Sequence, residues 1–399
     1  MEAVGDDGTL DVSTTRPLAE VLSGYTYVRE NDVLVAKITP CFENGKGCVA
    51  KGLTNEIGFA TTEVVPIRAN KRSAPEFLYY LLHSLPFRKI AEGSMYGAGG
   101  QKRVSDTFVA GYTFAAPPLP EQIQIATFLD RECGKLDALQ AKQERLIALL
   151  KEKRQALISH AVTKGLDPNV KLKPSGIEWL GDVPEHWRVG KCGFYLSILS
   201  GFAFPSTGFA HDESETKLLR GINVGVSRIK WDDTVYWQRF ENDGLGCYVM
   251  KAGDLVVGMD RPWISEGVRV AKITEKDLPC LLLQRVTSLK TNSSLSTDYL
   301  FRFLSSEMFV AYFTPDTTGV SVPHLSPDQI CDFVIPIPPL AEQYAIVAHL
   351  DEKCGNIDQL KTKAERAIAL LKERRSALIS AAVTGKIDVR ESLKQPVSA

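Results

Sequence analysis

Basic and amide side chains lie beside glycine residues in several short segments of this chain. Residues 101–103 (Gln-Lys-Arg) follow a glycine-rich turn at residues 97–100, and Arg220 and Asn223 flank Gly221. Lysine and arginine bind phosphate oxygens, whereas amide and guanidinium groups can also read base edges. These segments are therefore candidate DNA contacts. A solvated loop or a structural contact is an equally good interpretation of each one.

Fifteen residues of this kind are distributed over the two halves of the chain. Thr39, Asn44 and Lys46 lie in a loop after a predicted strand, where glycines allow a ligand to approach the backbone closely. The candidates in the first half are Lys37, Thr39, Asn44, Lys46, Gln101, Lys102 and Arg103. The candidates in the second half are Arg220, Asn223, Arg261, Trp263, Arg285, Thr318, Ser321 and His324.

The motifs that would indicate catalysis are absent from the sequence. Gly385-Lys386 is followed by Ile387, so there is no phosphate-binding loop of the GxxxxGK[ST] type. The Pro-Pro-Leu runs at 117–119 and 338–340 carry leucine where the methyl-transfer tetrapeptide of adenine methyltransferases has an aromatic residue. The six histidines show no metal-ligand spacing. We therefore predict that the chain is not an enzyme and binds no cofactor or metal itself.

The composition is typical of a globular protein with two or three domains. The chain has 399 residues, of which 44% are hydrophobic and 24% are charged. No apolar run approaches the roughly 18 residues that span a bilayer, and the eight cysteines form no CxxC pair. We expect a reduced, cytoplasmic protein without membrane contact. The net charge of -1 argues against coating nucleic acid by bulk electrostatics, but it allows local basic surfaces.

The sequence repeats itself with an offset of 221 or 222 residues. Residues 117–164 and 338–385 are identical at 29 of 48 aligned positions, far above chance. Weaker similarity continues upstream, where residues 77–82 resemble residues 299–304. Two copies of one unit predict a pseudo-two-fold molecule, which suits a target or partners that also come in twos.

Each repeated block is predicted to be a long helix introduced by prolines. A helix of roughly 42 residues is about 63 Å long and is not stable alone when it is amphipathic. We therefore predict that the two helices pack antiparallel as a coiled coil, a pattern that would also suit a simple spacer. The predicted seam comprises Leu129, Leu136, Leu139, Leu146, Leu150 and Leu157 on the first helix, and Leu350, Ile357, Leu360, Ala364, Ala367, Leu371 and Leu378 on the second.

The segments before the helices have the pattern of mixed α/β domains. Alternating apolar runs predict strands at residues 33–38, 64–67, 254–257 and 285–289. We predict an α+β fold in which two pseudo-symmetric mixed α/β domains are separated by the two long helices. The predicted segments are a first domain at 1–116, the central long helix at 117–164, a second domain at 165–337, the C-terminal long helix at 338–387 and a tail at 388–399.

The two predicted domains differ in length. Residues 1–27 align with residues 223–249, so residues 165–222 have no counterpart in the first half. This unmatched stretch includes Trp179 and Trp187. We expect the first domain to be N-terminally incomplete by roughly 57 residues, judged from the repeat length. It should therefore be less stable, or be completed by self-association with another chain.

Three motifs resemble the DNA specificity subunit of type I restriction–modification systems. They are residues 173–187 (KPSGIEWLGDVPEHW), the PPLxEQ openings of both helices and residues 37–47 (KITPCFENGKG). The resemblance covers essentially the whole chain. It implies two target recognition domains that each read half of a bipartite double-stranded DNA sequence. It also implies two helices that hold the domains apart and bind two methyltransferase subunits.

The resemblance further implies that restriction and translocase subunits join through the methyltransferase subunits. The partner subunits would use S-adenosylmethionine, ATP and Mg²⁺, and this chain would bind none of them. Three alternatives are a purely structural coiled-coil scaffold, a self-contained restriction or methylating enzyme, and a half-subunit that works as a dimer. A scaffold would not need two related domains with polar loops, and an enzyme would need the motifs that are absent.

Overall fold

The computed structural model describes residues 1–98, 100–213, 215–317 and 323–390. The chain forms two compact units. Unit 1 comprises Met1–Ile147 and Lys363–Ala399, and unit 2 comprises Ala148–Thr362. Each long helix therefore contributes one part to each unit.

The helices and strands follow one another in a similar order in the two halves of the chain. The first half forms α1 (Leu18–Val21), β1 (Thr26–Arg29), β2 (Val33–Ala36), β3 (Gly47–Val49), β4 (Ile57–Ala60), β5 (Val64–Ile67), α2 (Pro75–Leu82), α3 (Leu85–Gly93), α4 (Asp106–Gly111) and α5 (Leu119–Lys164). The second half forms β6 (Leu172–Pro174), β7 (Asp182–Pro184), β8 (Arg188–Lys191), β9 (Leu196–Ser200), β10 (Thr216–Leu219), β11 (Tyr236–Trp237), β12 (Leu255–Gly258), β13 (Trp263–Ile264), β14 (Gly267–Val268), β15 (Val270–Lys272), β16 (Cys280–Leu282), β17 (Val286–Thr291), α6 (Thr297–Leu304), α7 (Glu307–Thr317), α8 (Pro327–Asp332), β18 (Val334–Ile337) and α9 (Leu340–Val383).

A three-stranded antiparallel sheet, ordered β3-β2-β5, forms the centre of unit 1. Successive side chains of a strand point to opposite faces. Val33 and Val35 pack with Phe77 of α2, whereas Leu34 packs on the other face with Cys48. The short apolar run at β2 therefore reflects burial on both faces of the sheet.

Unit 2 has a four-stranded antiparallel sheet, ordered β15-β12-β17-β9. Leu255 and Val257 pack with Tyr299 of α6, whereas Val256 packs on the other face with Ala271. β12 thus occupies in unit 2 the position that β2 has in unit 1, as the sequence offset predicts.

The central sheet of unit 2 has strand pairings on one side that the central sheet of unit 1 lacks among the described residues. β17 pairs with β9 as well as β12, and β18 pairs with β8. Among the described residues, β5 pairs with β2 alone, and residues 113–116, which align with β18, form no strand. Ile335 of β18 is fully buried, whereas the aligned Phe114 is half-buried. β8 and β9 lie within residues 165–222, so the unmatched stretch of sequence corresponds to these two strand pairings.

Parts of α5 and α9 pack antiparallel in unit 1. Leu129 and Ile379 belong to one buried cluster, and Arg375 Nε donates to Asp137 Oδ1 at 2.9 Å. The residue numbers rise along α5 as they fall along α9, which is the antiparallel order.

The same order occurs in unit 2. Ile158 and Leu350 share a buried cluster, and Arg154 Nε lies 3.6 Å from Asp358 Oδ1. The α+β class, the two related mixed domains and the antiparallel helices are confirmed. Within the described residues, no helix is both long and apolar enough to cross a membrane.

The predicted seam of α5 is correct at some positions and wrong at others. Leu129, Leu136 and Leu150 are buried, but Leu139 and Leu146 are 45% and 40% exposed. The buried or half-buried positions instead alternate three and four residues apart, at Leu129, Cys133, Leu136, Gln140, Gln143, Ile147 and Leu150. The prediction followed the leucines, whereas the packed face passes through two glutamines.

α9 shows the same difference. Leu350, Ile357 and Ala364 are buried and Leu371 is half-buried, but Leu360 is 49% exposed. The helix ends at Val383, four residues before the predicted end at residue 387.

Candidate nucleic-acid interface

Each unit has the same backbone junction just after its central strand. In unit 1, the Thr39 N–H donates to the Lys102 carbonyl at 2.9 Å, and the Val104 N–H donates to the Lys37 carbonyl at 2.9 Å. In unit 2, the equivalent bonds run from Arg261 to Pro323 at 2.7 Å and from Leu325 to Met259 at 2.9 Å. We call the side chains at this junction the strand-end cluster. It consists of Lys37, Ile38, Thr39, Glu63, Lys102 and Arg103 in unit 1, and of Met259, Asp260, Arg261, Arg285, Pro323 and His324 in unit 2.

The strand-end cluster of unit 1 is built around a bidentate ion pair. Arg103 Nε donates to Glu63 Oε2 at 2.9 Å, and Arg103 Nη2 donates to Glu63 Oε1 at 2.8 Å. These hydrogen bonds lower the pKa of Glu63. Lys37 Nζ pairs with Asp106 Oδ1 at 3.0 Å, and Lys102 is exposed. The cluster presents cationic side chains beside a carboxylate.

The strand-end cluster of unit 2 is centred on Asp260. Its Oδ1 atom accepts from Arg285 Nη1 at 3.1 Å and lies 2.7 Å from His324 Nδ1. Arg285 aligns with Glu63 of unit 1, and His324 aligns with Arg103. Arg261 is exposed beside the pair. Equivalent backbone positions therefore carry different charged side chains in the two units.

Two of these backbone positions have a strained conformation. Arg261 and Arg285 have φ values of 45° and 70°, in the left-handed region that side chains other than glycine rarely adopt. The Met259 N–H donates to the Arg285 carbonyl at 2.9 Å, which helps to hold this conformation. Backbone strain of this kind is concentrated at functional sites.

A cavity of about 500 Å³ lies at the strand-end cluster of unit 2. Arg269 lines it and donates to the carbonyl oxygens of Val224 and Asp260, each at 2.8 Å, and also to that of Gly221. Burial lowers the pKa of Arg269. Because Nε, Nη1 and Nη2 of Arg269 each donate to a backbone carbonyl, Arg269 has a structural role in the cavity wall. Ile222, which is 62% exposed, adds an apolar group to the lining.

The loop that carries Asn44 and Lys46 is held against the helices of unit 1. Arg88 Nη2 donates to the Glu43 carbonyl at 2.8 Å and also to the Phe42 carbonyl. Asn44 is exposed, whereas Lys46 is half-buried and donates to the Met1 carbonyl at 3.3 Å. Thus Asn44 is accessible, and Lys46 has a contact within the unit.

Three candidates of the second half have structural contacts. Asn223 is 2% exposed, its Oδ1 accepts from the Arg220 N–H, and its Nδ2 donates to the Lys230 carbonyl. Arg220 Nη2 pairs with Asp233 Oδ2 at 3.0 Å. Trp263 is half-buried against the main core. The buried Asn223 amide is thus occupied by backbone contacts, and its contact with a base stays a prediction.

The remaining candidates divide between the cluster and its surroundings. The structure brings together Lys37, Thr39, Lys102 and Arg103, and separately Arg261, Arg285 and His324. Gln101 is exposed and directly precedes Lys102. Thr318 and Ser321 lie outside the described residues.

Sequence reasoning missed the two acidic residues, Glu63 and Asp260. A signal was present, because Glu63 falls on the same repeat position as the predicted Arg285. A carboxylate that orients basic side chains does not share their positive charge, so a pattern of basic residues does not include it. No group of three or more His, Cys, Asp or Glu side chains that could hold a metal occurs among the described residues.

The chain resembles specificity subunits of known restriction enzymes. It matches no protein-family model. It is 30% identical over 416 residues to the type I restriction enzyme EcoAI specificity subunit of Escherichia coli, covering 86% of this chain and 70% of that protein. It is 28% identical over 315 residues to the MjaVIII specificity subunit of Methanocaldococcus jannaschii, covering 78% of this chain and 70% of that protein.

Solved structures share the fold. One is a chain from a study of complex assembly and conformational transition of the type I R-M system, with a TM-score of 0.69, 21% identity, and coverage of 97% of this chain and 90% of that chain. Another is the HsdS subunit from Thermoanaerobacter tengcongensis, with a TM-score of 0.51, 20% identity, and coverage of 97% and 89%. On the sequence identity and coverage of its relatives, the chain belongs to the family of type I restriction enzyme specificity subunits.

Proposed function

We propose that this chain reads a bipartite DNA sequence, with one half-site contacted by each unit, and delivers methyltransferase subunits to it. The observation that carries the proposal is the strand-end cluster. The same junction carries Glu63 and Arg103 in unit 1 but Arg285 and His324 in unit 2. A shared backbone position with different polar side chains suits two domains that read different bases.

The long helices support a role in assembly. Leu149 and Leu370, at equivalent positions of the repeat, are 44% and 65% exposed, so each long helix presents an apolar side chain at the same place. In our proposal, two methyltransferase subunits bind the helices, and restriction and translocase subunits join through them. The cofactors S-adenosylmethionine, ATP and Mg²⁺ belong to those partners, and this chain supplies recognition without catalysis.

A half-subunit that works as a dimer is the second candidate. The observation that favours it is the side of β5 that no strand of the described residues covers. Such edges can pair with another chain. Recovery of a palindrome built from the half-site of unit 2 would support the dimer over the single-chain arrangement.

The test is a methyl-transfer assay on DNA with the methyltransferase subunits, with this chain, and with both. We expect labelled methyl groups to be incorporated at a defined sequence only when both are present. Methyl transfer by the highly purified chain alone, or identical target sites without it, would contradict the proposal.

Variants separate DNA reading from scaffolding. Lys102→Ala in unit 1 and Arg261→Ala in unit 2 should each weaken DNA binding. If each residue contacts one phosphate, the slope of the logarithm of the binding constant against the logarithm of the salt concentration should become shallower by about 1. Lys276→Ala removes an exposed lysine of unit 2 outside the strand-end cluster and serves as the control. A pure scaffold would show no difference among the three variants.

A further inference from the structure

Asp260 is placed to do more than neutralise a neighbouring cation. Its Oδ1 atom is shared by Arg285 and His324, at 3.1 Å and 2.7 Å. Its Oδ2 atom has no hydrogen-bond partner among the described residues. The three side chains are 38%, 59% and 45% exposed, so the group is open at the surface. It therefore presents donors and a spare acceptor side by side.

Such a group is poorly suited to a phosphate and well suited to a base pair. The Asp260 carboxylate would repel a phosphate, and a lysine or arginine without it would bind phosphate better. In the major groove, guanine offers two acceptors, N7 and O6, and its partner cytosine offers one donor, the N4 amino group. Arginine binds the guanine acceptors with two parallel bonds, and aspartate accepts from the cytosine amino group.

The backbone fixes the direction of the arginine. Arg285 has a φ of 70° and its carbonyl is bonded to Met259. Nη1 is bonded to Asp260, whereas Nη2 and Nε of Arg285 have no hydrogen-bond partner among the described residues. These two donors form one edge of the guanidinium, which is the fork that a two-bond contact with guanine requires.

We propose that Asp260, Arg285 and His324 together read one G·C base pair in the half-site bound by unit 2. Arg285 contacts the guanine, and Asp260 positions Arg285 and accepts from the cytosine. His324 contacts the same Oδ1 atom as Arg285 and leaves Oδ2 for the cytosine. This inference rests on the proposed function, because it assigns a base pair to a site already proposed to bind DNA.

The experiment is selection of bound sequences from randomised duplexes by the purified full chain, with and without the methyltransferase subunits. The wild-type chain should select G·C at one position that depends on unit 2. Asp260→Asn should lower the preference at that position by roughly 5- to 150-fold, the range expected for one good two-bond contact. The other positions should keep their preferences.

The affinity for unrelated DNA distinguishes the loss of a contact that positions Arg285 from damage to the fold. Asp260→Asn removes a negative charge, so binding to unrelated DNA should be unchanged or stronger while the selected base pair loses its preference. Loss of specific and non-specific binding together would overturn the inference. Arg285→Lys keeps the charge but not the fork-shaped guanidinium, and it should relax the same base pair.

A matched control and the wild-type result separate the possible failures. Asp332→Asn breaks an exposed ion pair with Lys191 elsewhere in unit 2 and should leave the selected sequence unchanged. If the wild-type chain selects a sequence but Asp260→Asn and Arg285→Lys leave every position unchanged, this inference is wrong and the proposed function stands. Selection of A·T at the dependent position also overturns it. If the wild-type chain selects no sequence, the proposed function itself fails.

Discussion

Gln122 and Gln343, at equivalent positions near the start of the two long helices, make the same three hydrogen bonds. Gln122 Oε1 accepts from the Ala74 N–H at 3.0 Å, and Nε2 donates to the carbonyls of Arg72 and Pro117 at 3.0 and 2.8 Å. Gln343 makes these bonds to Ser296, Ser294 and Pro338 at 2.7, 3.0 and 2.9 Å. The repeated PPLxEQ motif therefore ties each helix to the loop before a domain helix.

Replacing the second glutamine should destabilise unit 2. Gln343 is fully buried, so Gln343→Ala leaves an N–H and two carbonyls without partners. We expect a loss of about 2 to 4 kcal/mol in the free energy of unfolding, measured by urea denaturation. Tyr344→Ala is the control, because Tyr344 is 56% exposed. Equal effects of the two variants would mean that the hydrogen bonds contribute little.

The packed face of α5 can be tested with two adjacent leucines. Leu150 is 7% exposed and Leu149 is 44% exposed. Leu150→Ala should lower the free energy of unfolding by about 2 to 5 kcal/mol, because it opens a cavity. Leu149→Ala has the same chemistry and should cost far less. A larger loss from Leu149→Ala would contradict the helix packing described above.

The sheets of the two units should differ in how strongly they protect backbone amides from hydrogen exchange. β17 lies between two strands, whereas β5 has one strand partner among the described residues. The Val64 N–H bonds the turn carbonyl of Thr61 at 3.1 Å, and it should exchange faster than the Ser288 N–H, because Ser288 pairs with Leu199 of β9. Hydrogen exchange followed by mass spectrometry measures this directly. Protection of Val64 equal to that of Ser288 would show that another segment covers β5.

The strained backbone at Arg261 predicts opposite effects on stability and binding. Arg261→Gly removes an unfavourable left-handed conformation, so the free energy of unfolding should stay the same or rise by about 1 kcal/mol. DNA binding should weaken, because an exposed cation is lost. Arg261→Ala loses the cation but keeps the strain, and it should bind as weakly without the gain in stability. A glycine variant less stable than the alanine variant would show that the backbone is not strained.

The periodic parts of the structure could be predicted from the sequence. β2, β5, β12 and β17 were recognisable because short apolar runs bounded by turns are typical of strands that are buried on both faces. The long helices were recognisable from their repeat. Their packed face was less predictable, because leucines such as Leu139 are exposed while Gln143 is half-buried on the seam.

The candidate site was predictable in its backbone location but not in its full chemistry. Thr39 and Arg261 align across the repeat, and both lie at the junction after the central strand. Asp260 was missed because its role depends on Arg285 and His324, which lie 25 and 64 residues away in sequence. Asn223 was a candidate by residue type, but its burial depends on contacts that one sequence does not display.

In our proposal, this chain determines which DNA sequence is methylated. The most direct test is to map methylated adenines across the genome of cells that contain the methyltransferase subunits, with and without this chain. We expect one shared sequence motif when the chain is present, loss of that motif when it is removed, and a changed motif when Arg285 is replaced by lysine. Methylation of the same motif without the chain would show that the chain does not determine the methylated sequence.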